Sequence, residues 1–295
     1  MNNRKESPEI SIGLPVYNGE KYIKYAIDSV LKQNFSNFEL IISDNASNDG
    51  TAKICSEYAK NDCRIKYIRQ EKNIGAIPNF KFVLDKASGR YFKWLAHDDY
   101  IESVNYLSVM LDQLDSGYDY CFSGVDVVFE NNNKKQIRTD VMNDFLKCRD
   151  IYSFSLQTVY ICAYQFYGVF KRDLLSQNFL YLSVCSHLKC FNEGLLVHVL
   201  AAKYRAKYVP SVKFVYRRHG GNWSSLVNEN FLIVDFFKFT CILYHLYAGR
   251  ITGYTLFQRF KLMTTITFVH GNYLLILIAK YFIPISRSFV MALKK

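Results

Sequence analysis

Two adjacent carboxylates, Asp98 and Asp99, follow a short apolar run, residues 91–96, from which only His97 separates them. The run follows the turn residues Ser88 and Gly89, and its length and aromatic content favour a buried strand over a helix. The carboxylates would then stand beyond the carboxyl end of that strand, the edge at which open α/β sheets bind ligands. Two hard anionic oxygen donors there suit a divalent cation that bridges to phosphate.

The same two acids have a structural alternative. A helix is predicted to begin near Ser103, and acidic residues are common just before helices because their oxygens accept the first backbone N–H groups. At this point the sequence leaves both interpretations open.

A second polar loop, residues 43–51, reads Ser-Asp-Asn-Ala-Ser-Asn-Asp-Gly-Thr and follows the predicted strand 38–42. A loop of this composition directly after a buried strand is typical of a binding segment. Residues 48–51 could equally cap the helix predicted over residues 52–60.

Two later segments carry further candidate groups. Glu193 precedes the apolar helical positions Leu195 and Leu196, so it could act as a general base or be an ordinary acid in the first turn of a helix. The segment Arg217-Arg218-His219 is followed by two glycines. It could close over a diphosphate, or it could be a solvated basic turn.

The elements that must position these residues alternate along the chain. Apolar runs predict strands at residues 10–16, 38–42, 64–69 and 91–96, and a 3.6-residue apolar periodicity predicts a helix from Glu20 onward. Further helices are predicted at residues 52–60 and 79–86. Such alternation implies βαβ units and a mostly parallel sheet flanked by helices, an α/β fold.

Charge is distributed unevenly over the 295 residues, whose formal net charge is +11. Residues 1–193 hold 23 Lys and Arg against 24 Asp and Glu, whereas residues 194–295 hold 14 against 2. The basic excess therefore belongs to the last third, and a nucleic-acid partner is not predicted. The eight cysteines include no CxxC pair and are interpreted as free core thiols in a reducing compartment. The polar start of the chain contains no apolar signal core, so the expected location is cytoplasmic.

The segment 226–295 is predicted to be a helical amphipathic tail. It is rich in Phe, Leu, Ile and Tyr, and its longest apolar stretch, residues 273–283, is shorter than the roughly 20 residues that a spanning helix needs. Basic residues along it suit anionic lipid headgroups, which predicts peripheral attachment to the inner face of the cell membrane. Packing of these helices on the rest of the protein, or on a second subunit, is the alternative.

Several of these segments together resemble family 2 glycosyltransferases. The matching motifs are Pro15-Val16-Tyr17-Asn18, the loop at residues 43–51, Asn73-Ile74-Gly75 and His97-Asp98-Asp99, in the order in which the family has them. Weaker matches follow at residues 192–196 and at Tyr216-Arg217-Arg218-His219. The resemblance covers residues 8–225 and implies a GT-A-like catalytic domain over residues 1–225. Its nucleotide-sugar part would span about residues 8–125 and its acceptor part about residues 126–225.

The resemblance also implies roles for the matching residues on the nucleotide side. Tyr17 would stack on a pyrimidine ring beside backbone supplied by Pro15, and Asp44 and Asn45 would contact the base. Many family members have an acid where Asn45 stands. Its side-chain carbonyl can still accept a hydrogen bond from the base N3–H, through a neutral and weaker contact.

The diphosphate, metal and acceptor sides follow in the same way. Asp98 would contact the ribose or the metal, and Asp99 would ligate a Mg²⁺ or Mn²⁺ ion that bridges to the diphosphate. Arg217 and Arg218 would bind the nucleotide's diphosphate, with His219 as a further metal ligand. Glu193 would be the catalytic base, although this chain has Asn192 where an acidic pair is common. His97 is interpreted as a structural histidine.

The implied function is a metal-dependent, inverting glycosyltransferase that moves a sugar from a UDP- or dTDP-sugar to a glycan acceptor. The natural acceptor is a lipid-linked glycan of surface polysaccharide biosynthesis. A sugar nucleotidyltransferase is disfavoured because residues 13–17 are not a Gly-rich phosphate loop. A non-catalytic glycan-binding protein is disfavoured because Asp98, Asp99 and Glu193 are all present.

Overall fold

The structure is a computed structural model that describes residues 7–131, 134–138, 162–184 and 192–220. Its described strands form one nine-stranded sheet in the order β3-β2-β1-β4-β8-β6-β9-β5, with β7 paired to β6. The strands are β1 (Ile10–Val16), β2 (Phe38–Asp44), β3 (Ile65–Arg69), β4 (Tyr91–Trp94), β5 (Tyr100–Ile101), β6 (Tyr120–Asn131), β7 (Lys134–Arg138), β8 (Val169–Lys171) and β9 (Ala206–His219). The helices are α1 (Ile23–Leu31), α2 (Thr51–Asn61), α3 (Ala76–Asp85), α4 (Tyr106–Asp115), α5 (Cys162–Gln165), α6 (Arg172–Asn178), α7 (Leu180–Val184) and α8 (Asn192–Lys203).

The first four strands in spatial order, β3-β2-β1-β4, are all parallel, which confirms the βαβ prediction for this half of the sheet. Beyond β4 the sheet is mixed. β8 runs antiparallel to β4 and β6, β6 and β9 are parallel, and β5 is antiparallel to β9. The antiparallel strands follow segments that lack the regular strand–helix alternation, so the sequence pattern did not predict them.

The helices cover the sheet through apolar faces with the predicted periodicity. In α1, Ile23, Ala26, Ile27 and Val30 are buried at i, i+3, i+4 and i+7. The helix α3 begins at Ala76, three residues before the predicted start. Its proline, Pro78, lies in the first turn, where the missing N–H has no intrahelical partner to lose.

Aromatic side chains fill the core between β4 and the short helices near residue 166. Trp94 on β4 stacks on Phe166 with ring centroids 4.5 Å apart, and its ring also meets Phe92 edge-on at 5.0 Å. Cys55 and Cys121 are buried free thiols, as predicted, whereas Cys63 is free and exposed. The other five cysteines lie outside the described side chains.

Three loops converge at the carboxyl edge of the parallel strands because the strands are in register. Val16 of β1 pairs with Asp44 of β2, and Gly13 of β1 pairs with Trp94 of β4. The loops that follow β1, β2 and β4 therefore leave the sheet side by side. These loops contain most of the residues that the sequence singled out.

Candidate active site

Asp98 and Asp99 occupy the turn between β4 and β5, and they do not cap a helix. The next helix, α4, begins only at Tyr106, after the strand Tyr100–Ile101. The capping interpretation of the two acids is therefore wrong. The turn instead presents both carboxylates toward the end of β9.

The two carboxylates have different surroundings. One oxygen of Asp99 accepts a 2.8 Å hydrogen bond from the backbone N–H of Arg217, whereas its other oxygen, Oδ2, is buried without a hydrogen-bond partner in the described part of the chain. Burial, and next the charge of Asp98, raise the pKa of Asp99 well above its usual range. Burial also tends to raise the pKa of Asp98. The hydrogen bond with His219 Nε2 at 3.2 Å and the charge of nearby histidines outweigh it, and they hold the pKa of Asp98 below its usual range.

The end of β9 brings Arg217 and His219 to this turn and directs Arg218 elsewhere. Successive residues of a strand face opposite sides of a sheet, so Arg217 and His219 share one face. The Arg217 guanidinium donates through Nε to the Asp98 carbonyl at 2.9 Å. The exposed Arg218 lies over the Phe129 ring, 5.9 Å from its centroid, on the other face. The predicted basic cluster is thus divided between two faces.

The nucleotide-side residues lie on the neighbouring loops. Pro15 is buried in β1, and Tyr17, directly after β1, has 42% of its surface exposed. An exposed aromatic ring at this edge is available to stack on a base. The loop bends beyond it, where Asn18 has a left-handed φ of 51° and accepts a hydrogen bond at Oδ1 from the Asn48 N–H.

Asp44 is the last residue of β2 and Asn45 follows it, and both side chains make several hydrogen bonds. Asp44 accepts from the Ser47 N–H at 2.8 Å and from the Tyr67 hydroxyl at 2.9 Å. Asn45 accepts from the Ile74 N–H at 2.8 Å, while its amide donates to Asn73 Oδ1 at 3.0 Å and to the Gly75 carbonyl at 3.2 Å. Two acceptors facing the amide explain why this position carries Asn, since an Asp would place a second anionic oxygen against them.

Glu193 lies in the first turn of α8, so the structure agrees with both interpretations of its position. Burial raises the pKa of its carboxyl above the usual range, which suits a general base that must hold a proton transiently near neutral pH. Burial also raises the pKa of Tyr167, and the charges of Glu193, Asp99 and Asp98 raise it further.

Three residues near the site were not found from the sequence. Tyr22 and Glu130 contact Arg217, and Lys93 of β4 is completely buried. Burial lowers the pKa of Lys93 to about 7, against the opposing effect of the Asp99 carboxylate. A lysine inside an otherwise apolar strand was the one available signal, because burying an ammonium group is costly unless it serves a purpose. Tyr22 and Glu130 belong to no motif.

The oxygen and nitrogen donors at the acidic turn fit a divalent cation that is bound together with a diphosphate. Among the residues described, no group of three or more His, Cys, Asp or Glu side chains could hold a metal ion. The open Oδ2 of Asp99 nevertheless supplies a buried carboxylate oxygen beside Asp98 and His219. Mg²⁺ and related ions usually bind through one or two carboxylates together with substrate phosphates.

Comparison with known proteins identifies the family. Residues 11–179, more than half of the chain, match the family model described as glycosyl transferase family 2. The chain is a family 2 glycosyltransferase.

Relatives of this glycosyltransferase include the GalNAc(5)-diNAcBac-PP-undecaprenol beta-1,3-glucosyltransferase of Campylobacter jejuni, 30% identical over 57% of this chain and 53% of that protein. An uncharacterized glycosyltransferase of Rickettsia typhi is 32% identical over 45% of this chain and 41% of its own length. The chain thus spans about half or less of the length of these curated relatives.

Solved structures confirm the fold. S. aureus TarS residues 1–349 align with a TM-score of 0.69 at 18% identity, covering 95% of this glycosyltransferase and 76% of that chain. The mannosyltransferase PcManGT of Pyrobaculum calidifontis, solved with GDP-Man and Mn²⁺, aligns with a TM-score of 0.55 at 14% identity, covering 98% and 85%.

None of the helices in the described part of the chain is long and apolar enough to cross a membrane. The predicted amphipathic tail, residues 226–295, lies outside the described residues.

Proposed function

We propose that this glycosyltransferase transfers a sugar from a UDP- or dTDP-sugar to a glycan acceptor, with inversion at the anomeric carbon and with help from a divalent metal ion. The proposal rests above all on one observation, the buried Asp99 Oδ2 that lacks a partner in the described residues, next to Asp98 and His219 at the carboxyl edge of the sheet. A buried carboxylate oxygen without a hydrogen bond is costly, so a ligand is the simplest explanation for it.

The donor would bind along the three loops of that edge. Tyr17 would stack on the pyrimidine, with Pro15 backbone beside it and with Asp44 and Asn45 shaping the base pocket. The neutral Asn45 would contact the base through its carbonyl, which can accept a second hydrogen bond besides the one from Ile74. TarS, a structural neighbour, has been solved with UDP-GlcNAc and with UDP, which favours testing UDP-sugars first.

Asp99, together with Asp98 or His219, would hold Mg²⁺ or Mn²⁺. Arg217 would lie beside the two acids, whereas Arg218 faces away from them. The metal, when bound, supplies Lewis-acid stabilisation for the charge that develops on the departing diphosphate. The Asp pair would enter this role as two carboxylates, since a cation opposes the mutual repulsion that raises the pKa of Asp99.

Glu193 would take the proton of the acceptor hydroxyl. The acceptor oxygen would attack the anomeric carbon from the face opposite the diphosphate, forming the new glycosidic bond as the bond to the diphosphate oxygen breaks. The electron pair leaves with the nucleoside diphosphate, and the proton remains on Glu193. One displacement without a covalent intermediate inverts the configuration.

The acceptor would be a lipid-linked glycan in surface polysaccharide biosynthesis, at the cytoplasmic face of the membrane. The Campylobacter relative supports this, because its name places its acceptor on undecaprenol diphosphate. The basic surplus of residues 194–295 would favour peripheral attachment to anionic lipid.

A screen of nucleotide-sugars for thermal stabilisation, with and without Mn²⁺, tests the proposal. A donor at a hundred times its dissociation constant should stabilise the folded chain by about 2.7 kcal/mol, and only with the metal present. The stabilising donor is then incubated with candidate lipid-linked glycans, and the anomeric configuration of the product is read by NMR. Turnover of a nucleoside triphosphate with a sugar 1-phosphate, in place of glycosyl transfer, would instead assign a nucleotidyltransferase.

A further inference from the structure

Arg217 is held by three elements at once. Its backbone N–H and its Nε reach the two residues of the acidic turn, at Asp99 Oδ1 (2.8 Å) and at the Asp98 carbonyl (2.9 Å). Its Nη1 forms an ion pair with Glu130 of β6. Its guanidinium also lies over the ring of Tyr22, 4.7 Å from the centroid. The side chain is almost wholly buried, at 7% exposure for the residue.

Tyr22 and Glu130 complete a closed set of contacts around this guanidinium. The Tyr22 hydroxyl donates to the second oxygen of Glu130 at 2.9 Å, so both carboxylate oxygens of Glu130 are used. Tyr22 also contacts His219, since the centroids of the two rings lie 4.6 Å apart. His219 in turn contacts Asp98 at 3.2 Å.

We infer that Glu130 and Tyr22 are positioning residues that, through Arg217 and His219, hold the Asp98–Asp99 turn in the geometry needed to bind the metal and diphosphate. We name these three residues, Tyr22, Glu130 and Arg217, the clamp. The inference rests on the proposed function for its purpose, but the contacts that carry it are independent of any ligand. It also gives Arg217 an indirect part in donor binding, through the two acids.

The chemistry of the contacts supports positioning over direct diphosphate binding. An Arg whose fork is engaged by a carboxylate, a carbonyl and an aromatic face is fixed in orientation, and its charge is balanced by Glu130. The clamp also joins segments far apart in the chain, since Tyr22 and Glu130 are separated by 108 positions and Asp99 and Arg217 by 118. It therefore couples the loop after β1 to the acidic turn and to the end of β9.

Hydrogen exchange of the ligand-free protein tests the clamp directly. In Glu130→Gln and in Arg217→Lys, exchange of the backbone amides at residues 98–101 should accelerate about tenfold, because the turn loses its fixed partner. The matched control is Asp126→Asn, which removes another ion pair between β6 and β9, with Lys213 at 3.0 Å. Equal acceleration in Glu130→Gln and Asp126→Asn, or wild-type exchange in Arg217→Lys, would overturn the inference.

A smaller change isolates the tyrosine hydroxyl. Tyr22→Phe keeps the ring against Arg217 and His219 but removes the bond to Glu130. Tyr58→Phe is its control, since it removes a 2.6 Å tyrosine–carboxylate bond, to Asp28, elsewhere on the surface. We expect faster exchange at residues 98–101 in Tyr22→Phe alone. The same change in both variants would contradict the clamp.

Mn²⁺ binding distinguishes a positioning role from a general loss of stability. Free Mn²⁺ is measured by electron paramagnetic resonance in the presence of UDP, with each variant at equal folded fraction. Glu130→Gln should weaken Mn²⁺ binding about tenfold while Asp126→Asn leaves it unchanged. Tighter UDP binding in Glu130→Gln would mean that freed Arg217 charge contacts the diphosphate directly, and it would refute a positioning role. A wild-type chain that binds neither Mn²⁺ nor UDP would refute the proposed function, while the exchange measurements still decide the clamp.

Discussion

Two acidic loops lie side by side at the same edge of the sheet, and they differ in how their oxygens are used. In the loop after β2, Asp44 accepts hydrogen bonds at both carboxylate oxygens, and the side chain of Asn45 makes three. In the turn after β4, Asp99 keeps one buried oxygen without a partner in the described residues. Under the proposed function these differences suit two roles. The hydrogen-bonded loop after β2 would form a rigid wall for the base, and the unpaired Asp99 oxygen would be available to a cation.

The largest effect should come from replacing the Asp99 carboxylate with an amide. In Asp99→Asn, metal-dependent turnover should fall by about 10⁴, because the several kcal/mol that a metal gives to the leaving group are lost. The urea midpoint should stay the same or rise, because burial and Asp98 already disfavour the charged form of Asp99. Near wild-type turnover at saturating Mn²⁺ would place the metal elsewhere.

Glu193 should show a large effect of a different kind, in rate and not in donor affinity. Glu193→Gln should lower turnover by about 10³ and leave UDP binding, measured by calorimetry, nearly unchanged. The base acts only when deprotonated, so the wild-type rate should fall as pH drops through a pKa that burial has raised. This acidic limb should disappear in the variant. A collapse of UDP affinity would give Glu193 a structural or nucleotide-binding role instead.

A substitution at Asp44, in contrast, should change the stability of the protein. Asp44→Asn loses an acceptor for the Ser47 N–H or for the Tyr67 hydroxyl, which should cost about 2 kcal/mol of unfolding free energy in urea titrations. Asp28→Asn serves as control, since its carboxylate also accepts a tyrosine hydroxyl but is only partly buried. A larger loss in the control would show that burial does not decide the difference between the loops.

A substitution at Asn45 tests the role of the hydrogen bonds in the loop after β2. Restoring the acid that many family members carry, Asn45→Asp, should weaken UDP binding about tenfold here, because the new oxygen would face the Asn73 Oδ1 and the Gly75 carbonyl. Isothermal titration with UDP and Mn²⁺ measures the change. Stronger binding would mean that the base contact outweighs the loop contacts.

Lys93 should produce the smallest effect, visible as a pH dependence of stability. Its pKa, lowered by burial to about 7, lies below the value in the unfolded chain, so the unfolded state binds more protons between these values. The contribution of Lys93 to the free energy of unfolding therefore rises with pH, by about 1 kcal/mol between pH 7 and 8. Lys93→Met should flatten that rise in urea titrations. An unchanged slope would assign the pH dependence to other groups.

Much of the fold and of the site was predictable from the sequence. The strand Ile10–Val16 has the bounds that its apolar run predicted, and Thr51–Asn61 is longer than its predicted helix by one residue at each end. Local periodicity determines such elements, because burial of one helix face or of a central strand requires a particular spacing of apolar residues. The position of the acids at the ligand edge followed too, since in-register parallel strands end together.

The tertiary structure alone decided what those residues do for one another. Asp44 and Asp99 are both acids at the carboxyl edge of the sheet, and residue type alone does not distinguish them. Their difference lies in partners such as Tyr67, 23 positions away, and Arg217, 118 positions away. The same holds for Arg217 and Arg218, which the alternation of β9 directs to opposite faces. Sequence periodicity determines which face of an element is buried, but hydrogen-bond partners depend on which strands become neighbours. Here the mixed order of β8, β6 and β9 beside β4 was decided by packing, and it placed Glu130 and Arg217 at the acidic turn.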